Sequence, residues 1–200
     1  KNWKYAFLII AVALFFVRPI LSYHFGPSSD EVYHKVIGDF SYDYLSTAGK
    51  NDTIFHYSPN GRDDGALLLN YGPLLEVTAS ALYKNFNLDP LPTRHLVITL
   101  FTFLLFLFAG LTGKQIGGWR AGTIAMLFMV LAPRMLGEAF NNPKDPPFAA
   151  GYMMAIFALI YYFEQLPKPT WKATVLLMLG IGLAFAIRVG ELLLYAYLGL

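Results

Sequence analysis

The chain has no cysteine, so a disulfide framework, a thiolate nucleophile and a cysteine-ligated metal site are all excluded. Charge is scarce. Lys, Arg, Asp and Glu make up 14% of the 200 residues, against roughly 25% in an ordinary soluble domain. The four histidines, His24, His34, His56 and His95, show no helical metal-ligand spacing. There is no Gly/Ser-rich low-complexity tract. What remains is 56% hydrophobic and 16% aromatic, arranged as long uncharged runs separated by charged loops. That pattern is the mark of a multi-pass membrane protein rather than of a soluble core. The near-neutral net charge of +2 decides little, because in such a chain the placement of charge matters more than its sum.

The first apolar run covers about 5–21. It follows Lys1-Asn2-Trp3-Lys4 and has no small-residue cleavage site, so an uncleaved signal-anchor is expected. Its uncharged part is short for a bilayer core of about 20 residues, so Arg18 is expected to snorkel to the far interface. A polar, aromatic-rich outer loop follows over 23–92. Within it, Ser28 or Ser29 is placed to cap a short helix over 30–44 with Glu31 in its first turn. A second helix, over 73–86, has an apolar face and polar flanks that suit a position in the interface plane. Further spans are expected at about 93–111, 121–136, 147–163 and 171–189. The chain stops at Leu200 within an apolar run and is expected to continue.

Loop charge chooses between five spans and six. If 73–86 does not cross, Lys1, Lys4, Lys114, Arg120, Lys168 and Lys172 share the cytoplasmic side with one acid, Glu164. The outer loop then holds four bases against nine acids, as the positive-inside rule requires. With five spans, Asp30 and Asp145 open on the same non-cytoplasmic face. With six they cannot share a site. Arg188 lies about 25 Å along its helix from Trp171 at 1.5 Å per residue, level with those acids. Charges at such depth are costly and usually functional. Arg188 is placed to meet a lipid phosphate, to pair with Glu191 or Glu138, or simply to snorkel. Asp30-Glu31 reads equally as a first-turn pair on a helix N-terminus, and Asp145 as a cap-like residue before Pro146-Pro147. His34, four residues after Asp30, faces it on one helix side. Gly182, Ala186 and Gly190 recur at fourth positions and suit close helix packing.

The order of motifs resembles a known family. Asp30-Glu31 follows the first span. Tyr71-Gly72-Pro73-Leu74-Leu75 resembles a basic-Pro-Pro-Leu box. Arg94-His95-Leu96 opens the next span, and Lys114 to Gly122 makes a tight basic turn. Ala132-Pro133-Arg134 precedes Asn141-Asn142-Pro143-Lys144-Asp145-Pro146-Pro147, and Ala186-Ile187-Arg188-Val189-Gly190 closes the set. Together they resemble the GT-C glycosyltransferases of the dolichyl-phosphate-mannose–protein mannosyltransferase and aminoarabinose transferase type (family 39), bacterial branch. The resemblance implies an all-α integral membrane bundle with interfacial helices in its first outer loop, of which 1–200 is the N-terminal part.

It also implies sugar transfer from a polyprenyl-phosphate donor on the outer face of a bacterial inner membrane. The acceptor is a protein or glycan of unknown identity, and nucleic acid is not expected as a partner. Asp30 matches the general base, Glu31 its neighbour and Asp145 the second acid of the cavity. Arg188, with Lys144, matches the cations near the donor phosphate. A divalent cation, Mg²⁺ or Mn²⁺, held by Asp30, Asp145 and His34 is an open expectation. Two departures stand out: Tyr71-Gly72 in place of the basic residue and first proline, and Glu191 after Gly190. Rival readings are a multi-pass transporter with inner charges along a substrate path and a non-catalytic scaffold of the same fold.

Overall fold

A computed structural model describes residues 2–57, 72–188 and Gly199. Among them lie eight helical runs and no strand. They are α1 (Asn2–Ser22), α2 (Glu31–Ser46), α3 (Thr53–His56), α4 (Leu74–Phe86), α5 (Pro90–Leu131), α6 (Pro133–Glu138), α7 (Asp145–Phe163) and α8 (Trp171–Phe185). Three of these, α1, α5 and α7, are long and apolar enough to cross a membrane, and α8 is a shorter apolar helix of 15 residues. The outward face of α1 is as apolar as its packed face. Ile9, Val12, Phe16 and Ile20 are all more than half exposed. In water that face would be a liability, whereas against lipid it needs no cover.

α5 is two helices rather than one. Gly117 and Gly118 leave helical geometry (φ −137°, ψ 20° and φ 72°, ψ −174°). The positive φ at Gly118 is a conformation that L side chains rarely adopt. The chain folds back there, and glycines let the two arms touch. A Cβ on Gly122 would lie 2.6 Å from the Gly110 carbonyl oxygen, and one on Gly113 would lie 2.9 Å from Ala125 Cβ. Phe7 and Ala11 of α1 join Phe106, Met126 and Ala139 in one core across this hairpin.

Two expected spans are corrected. The stretch 121–136 is not one helix: it stops at Leu131, Ala132 is extended (ψ 118°), and α6 begins at Pro133. The residue before a proline is pushed out of helical geometry by the proline ring. The stretch 171–189 is helical only to Phe185 within the described residues.

Arg18 does not snorkel. It is buried between the rings of Phe106 and Phe140, 4.6 and 4.3 Å from their centroids, and donates from Nη2 to the Ala139 carbonyl at 3.1 Å. The return of the chain over 139–140 covers the end of α1, and the aromatic faces offer the guanidinium a partial counter-charge.

Small residues do bring helices together, but on another face than expected. A Cβ on Gly151 of α7 would lie 2.6 Å from Ala184 N, and one on Gly180 of α8 would lie 2.6 Å from Ala155 N. Gly151-x-x-x-Ala155 therefore meets Gly180-x-x-x-Ala184, the small-residue spacing of closely packed membrane helices. Gly182 has nothing among the described residues within 4 Å of such a Cβ, and Gly190 lies outside the described residues.

α2, α3 and α4 form a polar layer over one end of the bundle. Gly38 of α2 sits against the Glu76 carbonyl, where a Cβ would come within 2.7 Å. Asp39 ties the two helices together. It takes Lys35 at 2.7 Å and Ser80 at 3.3 Å, and it also accepts from the Tyr83 hydroxyl. Burial pushes the Tyr83 hydroxyl pKa up, and the Asp39 carboxylate beside it pushes it further.

Candidate active site at the loop end of the bundle

The three acids singled out in the sequence come to the same end of the molecule and then part company. Asp30 occupies the cap position of α2, yet its side chain makes no capping hydrogen bond. Ser28, expected as a cap, instead donates its hydroxyl to Asp30 Oδ1 at 2.9 Å. The Asp30 side chain is 57% exposed, with His34 Nε2 3.7 Å from Oδ2. Burial pushes its carboxyl up. The Ser28 hydroxyl, its own backbone amide and the charges of His34 and Lys144 outweigh that and hold it below the usual aspartate value.

Glu31, the adjacent residue, points into the protein and is 4% exposed. Oε1 receives Arg94 Nε at 3.3 Å. Oε2 meets His95 Nε2 at 3.1 Å and also accepts the Ser28 amide at 3.2 Å. Burial raises its pKa, but the His95 hydrogen bond, the charges of His95 and Arg94 and the Ser28 amide bring it below the ordinary glutamate value. With both oxygens engaged and no solvent access, Glu31 holds α2 onto α5. Its carboxylate faces this buried pair rather than the solvent-open side where the Asp30 side chain lies. Arg94 and His95 had been noted only as the opening of a span. Arg94 Nη1 and Nη2 are buried without a partner among the described residues.

A further acid, Glu76 on α4, went unrecognised in the sequence as a site residue. It is buried, and its Oε1 lies 2.8 Å from His34 Nδ1. A proton on Nδ1 donates to Glu76 and leaves Nε2 turned toward Asp30. The only sequence signal was a lone acid in the first turn of a helix that also carries Thr78, Ser80, Lys84 and Asn85.

Asp145 opens α7, where the cap position is Lys144 and no side chain makes a capping bond. Asn142 Oδ1 instead accepts the amides of Lys144 and Asp145 at 3.0 and 3.2 Å. The Asp145 carboxylate is committed to Arg188, whose Nη1 donates to Oδ1 at 2.8 Å. Both side chains are about half exposed, so the pair is open to solvent or ligand. Of the two partners expected for Arg188, Glu138 pairs with Arg134 at 2.8 Å, and Glu191 lies outside the described residues. Lys144 stands among these groups. Burial lowers its pKa, the acids Glu76, Asp30 and Asp145 raise it, and Arg188 lowers it. The net result is below the usual lysine value.

Arg188 also lines a cavity of about 650 Å³ whose other walls, Leu105, Met129, Phe148, Ala149, Tyr152 and Met153, come from α5 and α7. The site is thus an apolar groove with a cation at its wall, near a solvent-open carboxylate. No protein-family model, curated protein or solved structure matches this chain. The family resemblance therefore rests on the motif residues alone.

The expected metal set does not assemble. Among the described residues no three His, Asp or Glu side chains converge as a metal site. Asp145 is engaged by Arg188, and Lys144 lies close enough to both Asp30 and Asp145 to interact with their charges. Two cations among these acids occupy the charge balance that a divalent ion would need.

Gly72 has a structural reason. A Cβ there would lie 2.1 Å from the Ala186 carbonyl oxygen, and Leu74 N donates to that same oxygen at 3.3 Å. The Gly72-Pro73-Leu74 turn thus packs directly on the end of α8, two residues from Arg188. Tyr71 lies outside the described residues.

Proposed function

We propose that this chain belongs to a membrane glycosyltransferase of the GT-C kind. It would move a sugar from a polyprenyl-phosphate donor to an acceptor hydroxyl or phosphate at the non-cytoplasmic face of a bacterial inner membrane. The observation that carries the reading is the apolar groove with Arg188 in its wall. A ligand that fits it has a long hydrocarbon part and an anionic head, which is the chemistry of a polyprenyl phosphate. A head group held there would sit beside Lys144 and near Asp30.

The roles follow from the environments. Asp30 is the base: it is exposed, ionised below the usual aspartate range and unpaired by any Lys or Arg within ion-pair reach among the described residues. It takes the proton from the acceptor oxygen as that oxygen bonds to the anomeric carbon. The bond from that carbon to the phosphate oxygen breaks, and the departing polyprenyl phosphate keeps the electron pair. Arg188 and Lys144 stabilise its developing charge. Asp145 orients Arg188 and is a positioning residue. Glu31 maintains the fold beneath Asp30. Five spans with the acid-rich end outside agree with the loop charges.

The test uses the full chain in nanodiscs with polyprenyl-phosphate sugars. Asp30→Asn should abolish transfer while binding of unglycosylated polyprenyl phosphate persists. Arg188→Gln should weaken that binding. Transfer retained in Asp30→Asn rejects the base. Equal affinity for polyprenyl phosphate and polyprenol rejects the donor reading. Flux of a solute through the protein without any lipid-linked donor would favour the transporter.

A further inference from the structure

At the opposite end of the bundle three cations gather over two indole rings. Lys114 Nζ lies 5.3 Å and Lys4 Nζ 5.9 Å from the Trp119 ring centroid, and the Arg120 guanidinium lies 5.9 Å from that of Trp3. The cluster is built from two separate parts of the chain, the start of α1 and the glycine turn of α5. It is also held in place. Thr123 Oγ1 donates to the Trp3 carbonyl at 3.2 Å, and Phe7 packs edge-on to Trp119 with centroids 5.4 Å apart.

The charge balance here differs from that at the acid-rich end. Lys35, Lys84, Arg94, Arg134 and Arg188 each have a carboxylate within ion-pair distance. Lys4, Lys114 and Arg120 have none among the described residues. An indole face offers a cation a weak attraction without neutralising it. Three positive charges therefore lack a carboxylate partner among the described residues, at the end of apolar helices and beside tryptophans, which favour the headgroup level of a bilayer. Just beyond, Tyr5, Leu8 and Ile9 of α1 turn apolar side chains outward.

We propose that Lys4, Lys114 and Arg120 form a binding site for the phosphate of an anionic membrane phospholipid, with Trp3 and Trp119 flanking the headgroup. The lipid's acyl chains lie along the exposed apolar face of α1. The cations meet the phosphate, and the outward face of the helix gives the chains an apolar surface that a soluble anion would leave unused. Bound there, the lipid bridges α1 to the α5 hairpin turn. The site lies at the other end of the bundle from the acids and does not depend on the transferase reading.

The experiment is a titration of the purified full chain in neutral detergent with short-chain phosphatidylglycerol or phosphatidylcholine. Indole fluorescence is read in a Trp171→Phe background, so that Trp3 and Trp119 report. Each basic residue near anionic lipid contributes about fivefold in affinity. Phosphatidylglycerol should therefore bind on the order of a hundredfold tighter than phosphatidylcholine. Lys4→Gln, Lys114→Gln and Arg120→Gln should each lose about fivefold of that preference. Lys114→Arg should keep it, and high salt should shrink it. Circular dichroism of each variant separates loss of binding from loss of fold. Equal affinity for the two lipids, or a triple glutamine variant that retains the preference, overturns the proposal. So does competition by inorganic phosphate at comparable concentration, which would show that the site reads phosphate without the lipid.

Discussion

Removing Glu31 should test whether the buried network beneath Asp30 is a scaffold. Glu31→Leu deletes the carboxylate that faces Arg94 and His95, all three residues being nearly inaccessible to solvent. The guanidinium of Arg94 already has two nitrogens without partners among the described residues, so its remaining counter-charge would be lost. Leaving one member of a buried pair uncompensated costs about 3–5 kcal/mol. Glu31→Gln keeps an acceptor for one of the three contacts and should cost less, on the order of 1.5–3 kcal/mol. The double variant Glu31→Leu/Arg94→Leu removes both charges and should recover much of the loss, since apolar replacement of a whole buried pair is often near neutral. Unfolding in mixed micelles, read as a double-mutant cycle, gives the coupling directly. The pH dependence supplies a second signature. Because the folded pKa of Glu31 is lowered, its contribution is fully present above the ordinary glutamate value of 4.5 and is lost as pH falls through the folded value. Glu31→Gln should lack that part of the acid slope. If Glu31→Leu unfolds at the wild-type midpoint, or the double variant is no more stable than the single, the scaffold reasoning is wrong.

Other consequences are simpler to read. Gly72→Ala places a methyl 2.1 Å from the Ala186 carbonyl oxygen and should destabilise the chain by about 1–3 kcal/mol, measured as a lower Tm in detergent. Gly151→Leu forces α7 off α8 at Ala184 and should cost at least as much, whereas Gly182→Leu, which meets nothing in the described residues, should be tolerated. On the transferase reading, His34→Gln should lower kcat and shift the pH profile of transfer while leaving polyprenyl-phosphate affinity unchanged. An unaltered profile would remove His34 from behind Asp30.

Much of the helical layout was legible because apolar runs and proline or glycine breaks are local signals. The turn at Gly117-Gly118 falls inside the expected basic turn from Lys114 to Gly122, where glycine permits the positive φ. The break at Pro133 was missed, because the apolar run continues past the proline to Leu136 and hides it. The face on which small residues meet was not legible. α8 is apolar around much of its circumference, so periodicity cannot choose between Gly182-x-x-x-Ala186 and Gly180-x-x-x-Ala184. Arg18 misled for a related reason. A cation near the end of an apolar run looks like a snorkelling residue until a segment 121 positions away folds over it. The pairings of Glu31 with Arg94 and of Glu76 with His34 span 63 and 42 positions, and no local pattern encodes a partner at that distance.

The same long-range pairings separate acids that adjacency and charge made look equivalent. Glu31 is sealed against two basic residues. Asp145 faces outward but is held by Arg188. Asp30 alone combines exposure with a carboxyl kept ionised by a hydroxyl, a histidine and a lysine rather than by one close ion pair. A base must be charged and must also be reachable, and a direct guanidinium partner supplies the first at the expense of the second. If that division is functional, Asp145→Asn and Asp30→Asn should differ in kind. Asp145→Asn frees Arg188 to move, so binding of a polyprenyl phosphate should change along with turnover. Asp30→Asn should leave that binding where it was and remove only the transfer step. A matched loss of binding in both variants would mean that the acids act as one electrostatic unit and that the distinction drawn from their partners is wrong.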